Sequence, residues 1–271
     1  MNNVDRCILC GSTDSSIKFR VDGFIIVKCR GCGLNYLQNP LPVTGDSDTY
    51  HTYYESSGRY DYSPDSPQQA VKDLWEINEQ RIAMIRGYKS GGKLLDIGSG
   101  RGYFLQHAKC TGFDVAGVEI SSLAAGFCER EYDIKVHVRN VERGLELDDR
   151  YDIITMWHVL EHFMDPGQVL RNVRSRLTEN GVFFIEVPNV RSLKFLLSSK
   201  PGKWVGGNHP RHHRYFFSGR TLSMLVRKSG FESTEIQRTP YSLGRDSRIK
   251  SLSKKLLKTL NLDSFVNIIA K

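Results

Sequence analysis

Four of the six cysteines stand as Cys7-x-x-Cys10 and Cys29-x-x-Cys32, with 18 residues between the pairs. That spacing is a zinc ribbon's: four thiolates close a tetrahedral shell and leave the metal no open position, so a structural Zn2+ is expected. Gly11 and Gly33 follow the pairs and suit tight knuckles whose amides turn back toward sulfur. Redox use is the competing reading, but no βαβ pattern surrounds the pairs. Cys110 and Cys128 fall in expected helices and read as small packed residues.

Two further groups of residues carry chemistry. In Lys93-Leu-Leu-Asp-Ile-Gly-Ser-Gly-Arg-Gly-Tyr-Phe-Leu105 an apolar strand runs into Gly98, Gly100 and Gly102 and a helix follows. Such a loop lets backbone approach a nucleotide-type ligand at the helix's positive end. A second strand, Asp114 to Val118, ends in Glu119, placed to accept hydrogen bonds from ribose hydroxyls. The other group is imidazole. His158 and His162 flank Glu161, and on a helical start they share a face; His209, His212 and His213 lie in Asn208-His-Pro-Arg-His-His-Arg-Tyr-Phe-Phe217.

These residues need a scaffold. Ile17 to Lys28 reads as two short strands turning at Asp22-Gly23, with the second knuckle at the end of the hairpin. A tyrosine-rich stretch follows, through Tyr50, Tyr53, Tyr54, Tyr60 and Tyr62, and then an amphipathic helix over Gln68 to Arg86. The expected organisation is a zinc ribbon over 1–45, linker and leading helix over 46–90, and an α/β domain over 91–271 with a lid at about 189–218.

From residue 70 onward the sequence resembles the class I S-adenosylmethionine-dependent methyltransferases. Leu94-Leu-Asp-Ile-Gly-Ser-Gly-Arg-Gly102 is similar to the family's first motif, Val118-Glu-Ile-Ser121 to its second and Arg139-Asn-Val-Glu142 to its third. Tyr151 to His162 matches the fourth strand and its exit, Asn180 to Asn189 the fifth, and Gly230-Phe231 and Phe265 to Ala270 the sixth and seventh. The loop is G-x-G-x-G, and the second mononucleotide-binding half of an NAD enzyme is missing. The resemblance implies a Rossmann-like seven-stranded sheet with helices on both faces. It places the methionine part of S-adenosylmethionine near Asp96, Gly98 and Gly100, the ribose on Glu119, and the adenine between Ile120, Asn140 and Val141. Asp96 capping the loop and Val141 as ordinary core are the plainer readings. Within the superfamily, the zinc-binding N-terminus, His-Val-Leu-Glu-His, Val-Pro-Asn and the His-rich segment resemble the sugar C-methyltransferases. That likeness makes His213 the leading candidate for a base, with His158 and His162 as alternatives; His212 stands where those enzymes carry Glu. Relatives with an acid at the position of His158 bind a divalent ion there, and the departure leaves such a metal open.

Net charge is +8, but residues 189–271 hold 17 Lys and Arg against 4 Asp and Glu. An anionic partner is expected: a nucleotide- or lipid-linked sugar, with Arg191, Lys194, Lys200, Lys203, Arg211 and Arg214 around a phosphate handle. RNA held by the ribbon is the alternative, disfavoured because residues 1–45 carry no marked basic surplus. A non-catalytic ribbon protein with a degenerate transferase fold is a third. The basic helix expected around Arg248 to Leu260 would pack on the sheet or lie on an anionic membrane. A solvated face with no partner is the bland reading of the surplus. The absence of a long apolar run or signal-like N-terminus leads to the expectation of a cytoplasmic protein.

Overall fold

A computed structural model describes residues 4–41, 68–192, 195, 199–200, 203–204, 209–237 and 264–271. The tyrosine-rich stretch, the expected basic helix at 248–260, and Lys194 lie outside the described residues. Among the described residues, no helix is long and apolar enough to cross a membrane.

The hairpin forms where the sequence places it, as β1 (Ser15–Val21) and β2 (Phe24–Cys29), turning at Asp22 and Gly23, both at positive φ. β3 (Asn35–Leu37) adds antiparallel to β2. Helix α1 (Gln68–Arg86) leads into the large domain. There β4 (Lys93–Ile97), α2 (Tyr103–Cys110), β5 (Asp114–Glu119), α3 (Ser122–Tyr132) and β6 (Val136–Val138) follow in turn. Next come β7 (Tyr151–Trp157), α4 (Pro166–Arg176) and β8 (Leu177–Pro188). Two short strands, β9 (Ser199–Lys200) and β10 (Lys203–Trp204), pair with each other. β11 (Tyr215–Phe216), α5 (Gly219–Lys228), β12 (Thr234–Gln237) and β13 (Phe265–Ala270) complete the order.

The main sheet has seven strands ordered β6-β5-β4-β7-β8-β13-β12. The first five are parallel, and β13 runs antiparallel between β8 and β12. Strand order reverses between β4 and β7, and in open α/β sheets the ligand crevice lies at the carboxyl ends beside such a reversal. The sixth strand is β12, a few residues beyond Gly230-Phe231; Gly230 takes a positive φ and turns the chain out of α5.

Alternation along the strands divides the core. Leu94, Ile153, Phe184 and Ile269 face one side and pack with Ile82 and Ile85 of α1, Phe104 and Leu105 of α2, and Ala125 and Cys128 of α3. Leu95, Ile154, Phe183 and Ile268 face the other, against Val169, Leu170 and Val173 of α4 and Leu222, Leu225 and Val226 of α5. Capping fixes where these helices begin: Ser121 accepts from Ala124 N, Asp165 from Gln168 N ahead of Pro166, and Ser218 and Thr221 form a capping box. Cys128 is fully buried, as a packed residue should be, whereas Cys110 ends exposed at the close of α2.

The ribbon is built into the large domain. Its sheet takes a fourth strand from the segment after β10, since β11 pairs antiparallel with β3, Tyr215 opposite Tyr36. Cys7, Leu9, Val27, Leu34 and Tyr36 join the core on the α4–α5 side, while Val21, Phe24, Ile26 and Leu37 pack on Val190, Phe195 and Phe216. Polar ties follow the same line: Leu37 N donates to Arg214 O, the Arg214 guanidinium to Leu41 O, and Lys228 Nζ to Leu9 O.

Gly102 shows how tightly the loop after β4 is set. Its φ is +80, and a Cβ would lie 2.1 Å from Cys128 Sγ. Gly102→Ala combines overpacking with a left-handed backbone, and a loss of about 2–4 kcal/mol in urea unfolding is expected.

Candidate active site

The four ribbon cysteines converge. Their sulfurs lie within 4.8 Å of one another, with Cys7 Sγ to Cys32 Sγ and Cys10 Sγ to Cys29 Sγ both 3.5 Å. A disulfide would bring two sulfurs to about 2.0 Å. A tetrahedron with Zn–S of about 2.3 Å instead has edges of about 3.8 Å, so the cluster fits zinc. The two knuckles repeat one turn: Gly11 N donates to Cys7 O, Gly33 N to Cys29 O, and both glycines have positive φ. Burial pushes the Cys7 and Cys32 thiols up. It acts on Cys29 too, but there the Cys32 amide and the Cys10 thiol win and bring it down to about 7.

At the carboxyl ends of β4 and β5, Glu119 is buried and accepts from three backbone amides: Gly100 N at 2.9 Å, Ile120 N at 2.8 Å and Ser121 N at 2.9 Å. The glycine loop is thereby tied to the strand that carries the acid. Gly98 has φ +72, and a Cβ there would meet Val159 Cγ2 at 2.5 Å, so only glycine lets the loop lie against the exit of β7. Ser99 Oγ and Trp157 Nε1 are buried here without a hydrogen-bond partner among the described residues. Val138, paired with Glu119 across the sheet, and Leu123 in the first turn of α3 are about half exposed. A tied acid, orphaned polar groups and open apolar side chains fit a nucleoside-bearing cofactor. Ile120 and Asn140 are half-buried at this edge, and Val141 is buried. Asn140 Oδ1 is occupied by Glu142 N.

Asp96 is buried deeper, accepting from Thr155 Oγ1 at 2.6 Å. Burial raises it to about 7 from an ordinary 3.8, against the pull of that hydrogen bond and of Arg81.

The third group forms at the exit of β7. The helical start expected to carry His158 and His162 on one face is a single 3-10 turn, Leu160–His162, and His158 precedes it at φ +60. The two imidazoles instead approach Glu161 Oε1 from different sides, His158 Nδ1 and His162 Nε2 each at 4.0 Å. Glu161 is 1% exposed, and neither carboxylate oxygen has a hydrogen-bond partner among the described residues. His162 Nδ1 lies 2.7 Å from His212 O; a carbonyl only accepts, so Nδ1 carries the proton and Nε2 turns toward Glu161. His213 is buried with its ring 4.7 Å from that of His162. Its burial, then the neighbouring imidazoles, hold its pKa well below the usual range, so it is a neutral ring.

Of the sequence-predicted residues, His158, His162 and His213 thus meet around Glu161. The His212 side chain is exposed, and it is the backbone carbonyl of that residue that serves the cluster. Glu161, His162 and His213 have ligand atoms within 4.8 Å of one another, a spacing that a divalent cation could use. The segment around His213 is tied to the group and to the ribbon through Arg214 N to Glu161 O, Tyr215 Oη to Met164 O, and His209 Nε2 to Asp22 Oδ2 of the ribbon turn. Sequence reasoning passed over Arg81 and Glu186. Glu186, fully buried, receives the Arg81 guanidinium at 2.7 Å and His158 Nε2 at 3.0 Å. Its signal was a charge inside the apolar run Phe183-Phe-Ile-Glu-Val187.

Asp96 sets a pH dependence. The folded chain keeps its proton up to about pH 7, whereas the unfolded chain loses it near 3.8, so stability falls as pH rises between these values. Urea midpoints measured across that window should decline less for Asp96→Asn than for the wild type. For the ribbon, metal analysis should find one zinc per chain, and Cys29→Ser should lose it with a lower Tm.

The comparisons agree with this architecture. Residues 68–236 match the methyltransferase domain family. A ubiquinone biosynthesis O-methyltransferase of Bordetella bronchiseptica is 28% identical over 188 residues, 65% of this chain and 78% of the relative. Its counterpart from Marinobacter nauticus is 26% identical over 206 residues, 69% of this chain and 87% of the relative. Among solved structures, a DhpI–SAH complex superposes with TM-score 0.57 at 15% identity, covering 85% of this chain and 98% of the other. With this seven-stranded sheet, a glycine loop tied to a buried acid and a family match over more than half its length, the chain belongs to the class I S-adenosylmethionine-dependent methyltransferases.

Proposed function

We propose that this methyltransferase acts on a small molecule whose acceptor atom bears a proton, seated against Glu161, His158, His162 and His213. The observation that carries this reading is the convergence of three imidazoles on a buried, unpartnered carboxylate at the exit of β7, the strand next to the glycine loop. When bound, S-adenosylmethionine supplies a methyl group activated on a sulfonium, whose carbon–sulfur electron pair returns to sulfur as the methyl leaves. Glu119 would hold the ribose hydroxyls, Asp96 and the backbone at Gly98 and Gly100 would hold the methionine portion, and Ile120, Asn140 and Val141 would hold the adenine. The chain's remaining task is to orient the acceptor and take its proton, with His158 and His213 the two imidazoles suited to it.

A nucleotide- or lipid-linked sugar is the acceptor class we favour. Arg191 and Arg211 are exposed on the lid, and Arg214 is half-buried between lid and ribbon, where a phosphate handle would meet them. The named O-methyltransferase relatives support a small acceptor. The ribbon serves as the cover on the acceptor side, because its sheet continues into the lid strand that follows His213.

Incubation with methyl-labelled S-adenosylmethionine and fractionated cell extract should label a low-molecular-weight or lipid fraction and resist ribonuclease. Label lost with ribonuclease would move the reading to RNA, and cofactor binding without any labelling would move it to a non-catalytic protein. Glu119→Ala should weaken cofactor binding at least about tenfold by calorimetry, the loss of a charge-assisted hydrogen-bond acceptor.

A further inference from the structure

The imidazole of His158 is held harder than its neighbours. Its backbone N donates to Glu186 O at 2.9 Å, its Nε2 lies 3.0 Å from Glu186 Oε1, and its ring packs edge-on against Phe265 at 4.6 Å. The residue adopts a left-handed backbone, φ +60, a strained conformation for a non-glycine residue. Such strain persists only where the surroundings over-determine it. Here they do so through one side chain.

That side chain is Glu186, in the middle of the sheet and 0% exposed. Arg81, reaching down from α1, donates to the same Oε1 at 2.7 Å and stacks 4.4 Å from the Trp157 ring. A guanidinium at that distance keeps the carboxylate ionised, and an ionised carboxylate only accepts. His158 Nε2 must therefore be the donor. In the neutral form of the ring the lone pair is left on Nδ1, on the side of Glu161. His162, fixed by His212 O, likewise turns its Nε2 lone pair to Glu161. His158 Nδ1 and His162 Nε2 then face Glu161 as acceptors, an arrangement that a guest presenting a proton satisfies.

We propose that Glu186 and Arg81 are positioning residues that set the tautomer and orientation of His158, making His158 Nδ1 the atom that receives the acceptor's proton. This rests on the methyl-transfer reading above and names the base within it. As the acceptor bonds to the methyl group, its proton passes to Nδ1, and the electron pair it leaves behind completes the new bond. The imidazolium so formed has Glu186 on one side and Glu161 on the other, while the positive charge of the donor is lost, so total charge is unchanged. His213, desolvated and crowded by other imidazoles, forms a neutral wall of the site.

The relay is tested without any acceptor. In protein labelled with 15N-histidine, long-range proton–nitrogen correlation under conditions where the rings are neutral reports which nitrogen carries the proton, with His158→Gln assigning the signal. The wild type should show His158 protonated at Nε2, and Glu186→Gln should abolish that single pattern. In the extract fraction that accepts label, Glu186→Gln should lower turnover by about 100-fold with cofactor affinity kept, and Glu186→Asp should restore part of it. A wild-type ring protonated at Nδ1, or a pattern unchanged in Glu186→Gln, overturns the relay and leaves the methyl-transfer reading standing. An Nε2-protonated ring that loses its pattern supports the relay whether or not an acceptor has been found.

Discussion

A carboxylate with no solvent exposure, placed in the strand between β7 and β13, is the constraint on which the site depends. Desolvating an ionised group costs several kcal/mol unless it is paired and hydrogen-bonded. Glu186 meets that demand with Arg81 and His158. The consequences run outward from it. Helix α1 has to lie where Arg81 can reach the sheet, and β7 has to end in a left-handed turn that brings His158 back over β8. Arg81 also lowers Asp96, so two buried acids and one base on three different elements form one electrostatic unit.

The ribbon answers to a different force. Two hairpin strands and a short third have too little apolar area to make a core of their own. Both faces are covered instead by the large domain, and β11 completes the sheet. The pairing of β11 with β3 fixes the stretch after His213, while Arg214 N to Glu161 O fixes the stretch beneath it. Metal site and imidazole cluster thus share one strand of backbone, although no cysteine lies among the histidines.

Much of this was legible from residue order. Cys-x-x-Cys spacing with trailing glycines identified the knuckles, and Gly98, Gly100 and Gly102 before a strand ending in Glu119 marked the loop that this acid ties down, because such features are local. The α1 and hairpin boundaries were equally local. Glu161 and Glu186 were not weighed as they deserved, since their importance lies in burial and in partners more than 20 residues away, Arg81 above all. The positive φ at His158 was also illegible: nothing in His158-Val-Leu-Glu-His162 distinguishes a helical start from a left-handed residue before a 3-10 turn. The use of His212 was illegible for a similar reason, since the cluster takes up its backbone carbonyl.

The separation of β3 from β11 also has a bearing on how the chain is made. β3 ends at Leu37 and its partner begins at Tyr215, about 180 residues later in synthesis. At about 5–20 residues per second the ribosome needs roughly 10–40 s to deliver that strand. During the interval β3 is a bare edge beside an unfinished sheet, the kind of surface that recruits foreign strands. A four-thiolate metal site, complete once Cys32 has emerged, lets the nascent hairpin hold its pairing geometry while it waits.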